Sequence, residues 1–305
     1  MKPVRNVAFT EAQPVLSVLI PFYKESPLDL LNALSTRSPE SLEIILIDDG
    51  SDRADITSAV SAFIQQSPLA CELITLTENE GRARGRNRLT SAARGRYFLF
   101  LDSDMLPDDT AFLDTWLAST DNPQTAVIFG GFSLLQAPQT PDFAIHRLMA
   151  GHSDCLDAET RRISPEKYVF TSNLLVRRDV FAAEGFDAAF TGWGWEDVEW
   201  AMRVAAHYRI DHIDNTATHM GLDSAGALAQ KYEQSVPNFA RVITRHPEIV
   251  SQYPSYKVAR KLKVLPFRPA IRRLIKAFAL NSFIPLKLRA LMLRIYRAAL
   301  YAEVV

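Results

Sequence analysis

Several short stretches of this chain carry side chains that could do chemistry. Asp48-Asp49-Gly50-Ser51 and Asp102-Ser103-Asp104 each follow an apolar run, at 42–47 and 97–101. Two aspartates two residues apart at a strand's end can share a hard divalent cation and a ligand hydroxyl, the oxygen setting that Mg2+ or Mn2+ prefers. A carboxylate pair in such a place can also hold a ribose hydroxyl or a base N–H; alone it would read as an Asx turn. Pro21-Phe22-Tyr23-Lys24-Glu25 follows a third run, at 15–20, with the proline expected to stop the strand and an aromatic ring at its mouth. Asn79-Glu80-Gly81-Arg82-Ala83-Arg84-Gly85-Arg86-Asn87 adds positive charge that suits a diphosphate. The same arginines could form a nucleic-acid patch, but they lack interleaved aromatics and sit in an acidic body, so no nucleic-acid partner is expected. Later, Gly192-Trp193-Gly194-Trp195 leads into Glu196-Asp197-Val198-Glu199. Acids in a helix's first turn complement its dipole. That does not account for two tryptophans and two glycines just before them.

The elements that must position these residues follow from pattern. Apolar runs at 15–20, 42–47, 73–76, 97–101 and 126–129 alternate with helix-periodic stretches near 27–36, 54–66, 82–94 and 109–119. Strands apolar on both faces, alternating with helices, predict βαβ units around a mostly parallel sheet. In such sheets ligands bind beyond the carboxyl ends of the strands, where the motifs fall. The second half predicts strands at 168–176 and 209–213 and helices near 178–184, 196–207 and 225–245.

Composition narrows the class. With 305 residues, 48% hydrophobic and 23% charged, the chain can bury a large core and is neither disordered nor collagen-like. Cys71 and Cys155 lack metal-ligand spacing and make no disulfide framework, which fits a reducing cytoplasmic setting. No signal-peptide pattern and no apolar run of membrane-spanning length is expected. The net charge of -1 hides an asymmetry: Asp and Glu are absent from 249 to 302, where 12 of the 34 Lys and Arg fall. Residues 1–254 are therefore expected to form an acidic body and 255–305 a basic helical appendage. In that tail, Ile271, Leu274, Ile275 and Phe278, then Leu288, Leu291, Met292 and Ile295, recur at helical spacing among basic residues. Such helices lie at anionic membrane surfaces; the alternative is packing on the body or pairing in a homo-oligomer.

Taken in order, Ile20 to Glu25, Asp48 to Ser51, Asn79 to Asn87, Asp102 to Asp104, Gly185-Phe186-Asp187 and Gly192 to Asp197 resemble the family 2 glycosyltransferases of GT-A fold. The resemblance runs over about 14–223 and is nearest to chondroitin-polymerase-type, β-galactosyl and N-acetylgalactosaminyl transferase domains. It implies an α/β, Rossmann-like sheet and a metal-dependent inverting enzyme. Such an enzyme moves a sugar from a UDP-sugar to a carbohydrate or lipid-linked acceptor in surface polysaccharide synthesis; the basic tail adds the expectation that it works peripherally at the inner membrane face. Tyr23 would stack on uracil and Asp49 accept its N–H, with Pro21, Glu25, Arg86 and Ser103 completing the nucleotide site. Asp102 would hold ribose or metal, and Asp104 and His219 would ligate Mn2+ or Mg2+. Asp197, beside Glu196, would deprotonate the acceptor, with Trp193, Trp195 and Asn173 on the acceptor side. Trp195 departs from the pattern, standing where these enzymes usually carry a second glycine. The rivals are a nucleotidyltransferase, which would need a Gly-rich loop where Pro21-Phe22-Tyr23 stands, and a non-catalytic nucleotide-sugar or glycan binding module.

Overall fold

The β-branched and leucine-rich runs become strands in the computed structural model, which describes residues 3–35 and 41–305. The last residue of the helix expected over 27–36 lies outside the described residues. In chain order the first elements are β1 (Val4–Arg5), α1 (Val7–Glu11), β2 (Leu16–Phe22), α2 (Leu28–Leu34), β3 (Leu42–Asp48), α3 (Ala54–Gln66) and β4 (Ala70–Thr75). Next come α4 (Arg82–Ala92), β5 (Tyr97–Leu101), β6 (Met105–Pro107), α5 (Phe112–Ser119), β7 (Val127–Phe129), β8 (Phe132–Ser133), α6 (Ala144–Ser153) and α7 (Ala158–Arg161). They are followed by β9 (Asn173–Arg177), α8 (Arg178–Ala183), α9 (Glu196–Ala205), β10 (Ile210–His212) and β11 (Ala217–His219). The chain closes with α10 (Ala225–Gln234), α11 (Val236–Arg245), α12 (Pro247–Val250), α13 (Pro254–Lys263), α14 (Arg268–Leu280) and α15 (Leu286–Tyr301).

Among the described residues eight strands form one sheet in the order β1-β4-β3-β2-β5-β9-β7-β10. β2 to β5 are parallel, as their apolar runs require, and β10 runs parallel to β7, while β1 and β9 are antiparallel to their neighbours. Successive residues of one strand enter opposite layers: Val18 and Ile20 pack on one face of β2, Leu19 on the other, and Ile44 and Ile45 divide likewise on β3. The strand order reverses at β2, between β3 and β5, so the carboxyl edge there is a topological switch point.

Three sequence expectations are corrected here. Pro21 does not stop the strand: β2 runs through it to Phe22 paired with β3, while pairing with β5 ends at Leu19. A proline, lacking an N–H, is tolerated where one side of the ladder has stopped. Within 168–176 the strand begins only at Asn173, and the helix over 225–245 is two helices broken at Ser235, because Pro237 cannot continue α10's hydrogen bonding. β6, β11 and β8, of two or three residues each, form a small second sheet that no run was long enough to announce.

Two compact units result. The first comprises residues up to Ala137, with Cys155–Ala189 and Trp200–Gly221; the second comprises Pro138–Asp154, Phe190–Glu199 and Leu222–Val305. They do not divide at 254/255. Ala290, Leu293, Tyr296, Leu300 and Tyr301 on α15 are buried, and α15 packs on α6, α10 and α11. Of the basic helices, α15 thus contributes to the second unit's core, whereas α13 and α14 bury only Ala259 and Ala279.

In the first unit, fully buried His212 accepts a hydrogen bond from Arg161 Nε at Nδ1 and faces the Pro165 carbonyl with Nε2. Burial, joined by the charges of Arg161 and Arg162 against the Pro165 bond, pushes its pKa down to about 4. The unfolded chain, with an ordinary imidazole, binds the proton first. Stability is thus full above pH ~6.5 and lost as pH falls toward 4, on the order of 2–3 kcal/mol for this one group. Chemical denaturation of wild type and His212→Gln across pH 4–7 should show the steeper acid loss in wild type; parallel curves would contradict it.

Candidate functional site

Asp49 opens the site at the end of β3. Gly50 follows at φ +70°, and a Cβ there would come within 2.4 Å of the Glu78 carbonyl carbon, so only glycine turns the chain this closely. Buried Asp49 accepts from the backbone N–H groups of Glu80 and Gly81 at 2.8 and 3.0 Å, fixing the start of α4. Burial raises its pKa against those two bonds. Asp48 is spent internally, accepting from Ser51 N at 2.9 Å and Thr57 Oγ1 at 2.7 Å. Ser51 Oγ in turn accepts from Lys24 N at 2.8 Å and holds the loop that leaves Tyr23 and Glu25 exposed. The Lys24 ammonium lies over the Tyr23 ring, 4.9 Å from its centroid.

The arginine segment divides its work. Arg86, nearly inaccessible on α4, donates to Asp102 Oδ1 at 2.8 Å. Asn87 clamps Phe186, donating to its carbonyl at 2.9 Å and accepting from its N–H at 3.2 Å. Arg88 pairs with Glu80, and Arg82 and Arg84 stay exposed.

Asp104 and His219 meet through the small sheet. The β6–β11 register sets His219 opposite Met105, and Met220 N donates to the Asp104 carbonyl at 2.8 Å. His219 Nε2 then stands 3.3 Å from Asp104 Oδ2. Burial pushes the Asp104 carboxyl up, but the His219 hydrogen bond and the charges of His219 and Arg82 outweigh it and hold the pKa below the usual range. A Cβ on Gly221 would lie 1.9 Å from Asp104 Oδ2, so only glycine leaves room for this oxygen; nothing in the neighbouring residues marks Gly221 for that role. One carboxylate and one imidazole fit a divalent cation that completes its shell with water and ligand phosphates, the habit of Mg2+ and Mn2+. The grouping is smaller than the expected Asp102, Asp104 and His219. Asp102 is held by Arg86, and among the described residues no cluster of three His, Cys, Asp or Glu side chains is set to hold a metal. Ser103, half-buried, lies between these aspartates.

Asn173 is fully buried on β9, its amide donating to the carbonyls of Gly131 at 3.0 Å and Asn215 at 2.8 Å. This corrects the acceptor-side expectation: with its N–H groups spent on two carbonyls and no accessible surface, it braces the sheet.

The second unit holds Trp193, Trp195, Glu196 and Asp197. Trp195 adopts φ +76°, a region glycine enters freely and a bulky residue occupies at about 1–3 kcal/mol. Its ring packs on Phe239 at 4.8 Å, and its Nε1–H donates to Tyr301 Oη at 2.8 Å. Ser235 Oγ donates to Tyr232 O, so Tyr301 donates to Ser235 and accepts from Trp195. Trp195 is thus fastened to the end of α15, and the substitution for glycine acquires a packing reason. Trp193 lies half-buried near Tyr232. Asn238 ties the loop further, donating to the Thr191 and Gly194 carbonyls at 2.9 Å each. At the head of α9, Glu196 is buried and Asp197 half-buried, and Glu199 one turn on is held by Arg245 Nη1 at 3.1 Å. Tyr301→Phe keeps the ring stack but strands the Trp195 N–H. It should cost about 1 kcal/mol in thermal unfolding, whereas an unchanged Tm would show that the fastening carries no energy.

The family model for "Glycosyl transferase family 2" matches residues 17–180, more than half of the chain. The chain belongs to glycosyl transferase family 2. Validoxylamine A glucosyltransferase of Streptomyces hygroscopicus subsp. limoneus is 26% identical to this family 2 member over 276 residues, covering 80% of this chain and 59% of that protein. The chain thus spans about three-fifths of that relative's length. The mannosyltransferase PcManGT from Pyrobaculum calidifontis, solved with GDP-Man and Mn2+, aligns at a TM-score of 0.60 and 19% identity over 95% of this chain and 86% of that one. S. aureus TarS 1-349, solved with UDP-GlcNAc, aligns at 0.53 and 16% identity over 95% and 90%. These likenesses establish the GT-A fold of this family 2 glycosyl transferase.

Proposed function

We propose that this protein is a metal-dependent, inverting glycosyltransferase that moves a sugar from a UDP-sugar to a carbohydrate or lipid-linked acceptor in surface polysaccharide synthesis, working peripherally at a membrane. The observation that carries the reading is the Asp104–His219 pair, given room by Gly221. Asp104 and His219 would hold the cation, with Mn2+ supported by the PcManGT complex. Bound there, the metal would neutralise charge on the departing nucleoside diphosphate. Tyr23 offers an exposed ring for the base, and the Asp49 carboxylate, with two backbone bonds made, keeps lone pairs for a base N–H. Arg86 fixes one oxygen of Asp102, which would hold the ribose. Asp197 would take the proton of the acceptor hydroxyl as its oxygen bonds to the sugar's C1 and the C1–diphosphate bond breaks. The nucleotidyltransferase reading loses its support, since no glycine-rich loop follows β2.

The test is thermal unfolding with UDP, with and without Mn2+. Stabilisation by UDP that needs the metal is expected, because a ligand that binds only the folded state raises Tm by mass action. Equal stabilisation in EDTA would remove the cation from nucleotide binding.

A further inference from the structure

The second unit displays apolar side chains that its own core does not use. Phe283, between α14 and α15, is 95% exposed, and Phe267, between α13 and α14, is 82% exposed beside Val264 at 81%. Phe267 also adopts φ +53°, a backbone region bulky residues seldom occupy, which holds its ring at the head of α14. Phe267, Ile271, Leu274 and Phe278 recur at intervals of four, three and four and so share one stripe along α14, where Leu274 and Phe278 remain exposed. On α15, which packs beside α14, Leu288 and Leu291 are exposed while Leu293, Tyr296 and Leu300 fill the core. The tail helices thus carry two apolar faces, one buried and one outward. None is long and apolar enough to cross a membrane, among the described residues.

Charge accompanies the outward face. Arg268 and Arg272 meet Glu303, and Lys276 meets Glu233, so part of the tail's charge is matched internally. Lys257, Arg260, Lys261, Arg273, Lys287 and Arg294 stay exposed. Lys287 and Arg294 flank Leu291 at four residues before and three after, which sets cations along the apolar stripe's border. We infer that the outward face of α13, α14 and α15 docks on an anionic bilayer, with Phe267 and Phe283 entering its apolar layer at the two ends of α14. The inference rests on the peripheral-membrane part of the proposed function and names the face that performs it. Charge decides the occupant. A second copy of the chain would bring the same cations together with no Asp or Glu between 249 and 302 to offset them, whereas anionic headgroups complement them.

Co-sedimentation of the full chain with phosphatidylglycerol/phosphatidylcholine vesicles tests this. Binding is expected that weakens with salt and is absent on phosphatidylcholine alone. Phe267→Ser/Phe283→Ser should bind at least ~10-fold more weakly at unchanged Tm, since both rings are already in water. Ile163→Ser, at an exposed site in the first unit, should bind as wild type. Wild-type binding by the double phenylalanine variant would overturn the assigned face while leaving peripheral attachment standing. A wild type that ignores anionic vesicles would overturn both, and a dimer made monomeric by the double substitution would reassign the face to self-association. UDP-sugar turnover, read in parallel, reports on the transfer reading separately.

Discussion

Asp197→Asn should bind UDP-sugar like the wild type and transfer the sugar about 10²-fold more slowly, or worse. The substitution keeps size and hydrogen bonding and removes the proton affinity that general-base work needs, and such catalysis contributes about 10²–10⁴. Folding should be nearly unaffected. Asp197 is half-buried in the first turn of α9, and losing one charge there costs about 0.3–1 kcal/mol against the helix dipole, with Glu196 and Glu199 still present. Steady-state turnover beside UDP affinity separates the two effects. Unchanged turnover would move the proton acceptor to Glu196 or another group.

Asp104→Asn should abolish turnover and make UDP binding independent of Mn2+. The amide replaces an anionic ligand by a neutral one, leaving His219 as the other protein donor of the pair. The fold should survive, because Asp104 lies past the end of β5 outside the apolar clusters, and Met220 N binds its backbone carbonyl, not its side chain. Calorimetric titration of UDP with and without Mn2+, alongside circular dichroism, checks both halves. Metal-dependent binding that persists in Asp104→Asn would remove it as a ligand.

The parallel sheet and the strand-end motifs were legible because β-branched runs buried on both faces leave a strong signal, and because the polar residues after them have a fixed place in such folds. Asp49, Asp102 and Asp104 could be nominated that way. Their division of labour could not. Asp48 and Asp49 are adjacent and chemically equal, yet one is consumed by Ser51 and Thr57 and the other holds the Glu80–Gly81 backbone, a difference set by which way each points at the strand's end. Arg86 belongs to a positive segment of the sequence, but its partner is Asp102, sixteen residues away. Trp195 was visible as a departure, while its explanation lies with Tyr301, 106 residues on, beyond any local pattern. The same distance hid the architecture of the basic tail. Heptad-like spacing announces an apolar face on α14 and α15, but only packing shows that Leu293 and Tyr296 face inward and Leu288 and Leu291 outward. Truncation at 254 would therefore remove core as well as surface, and single exposed side chains are the better probes.

Metal-dependent transfer can be read from UDP release by wild type on a panel of UDP-sugars in Mn2+ and in EDTA, with Asp104→Asn alongside. Release from at least one donor is expected in Mn2+, none in EDTA and none by the variant; full release in EDTA, or by Asp104→Asn, would refute a metal-assisted transfer through Asp104.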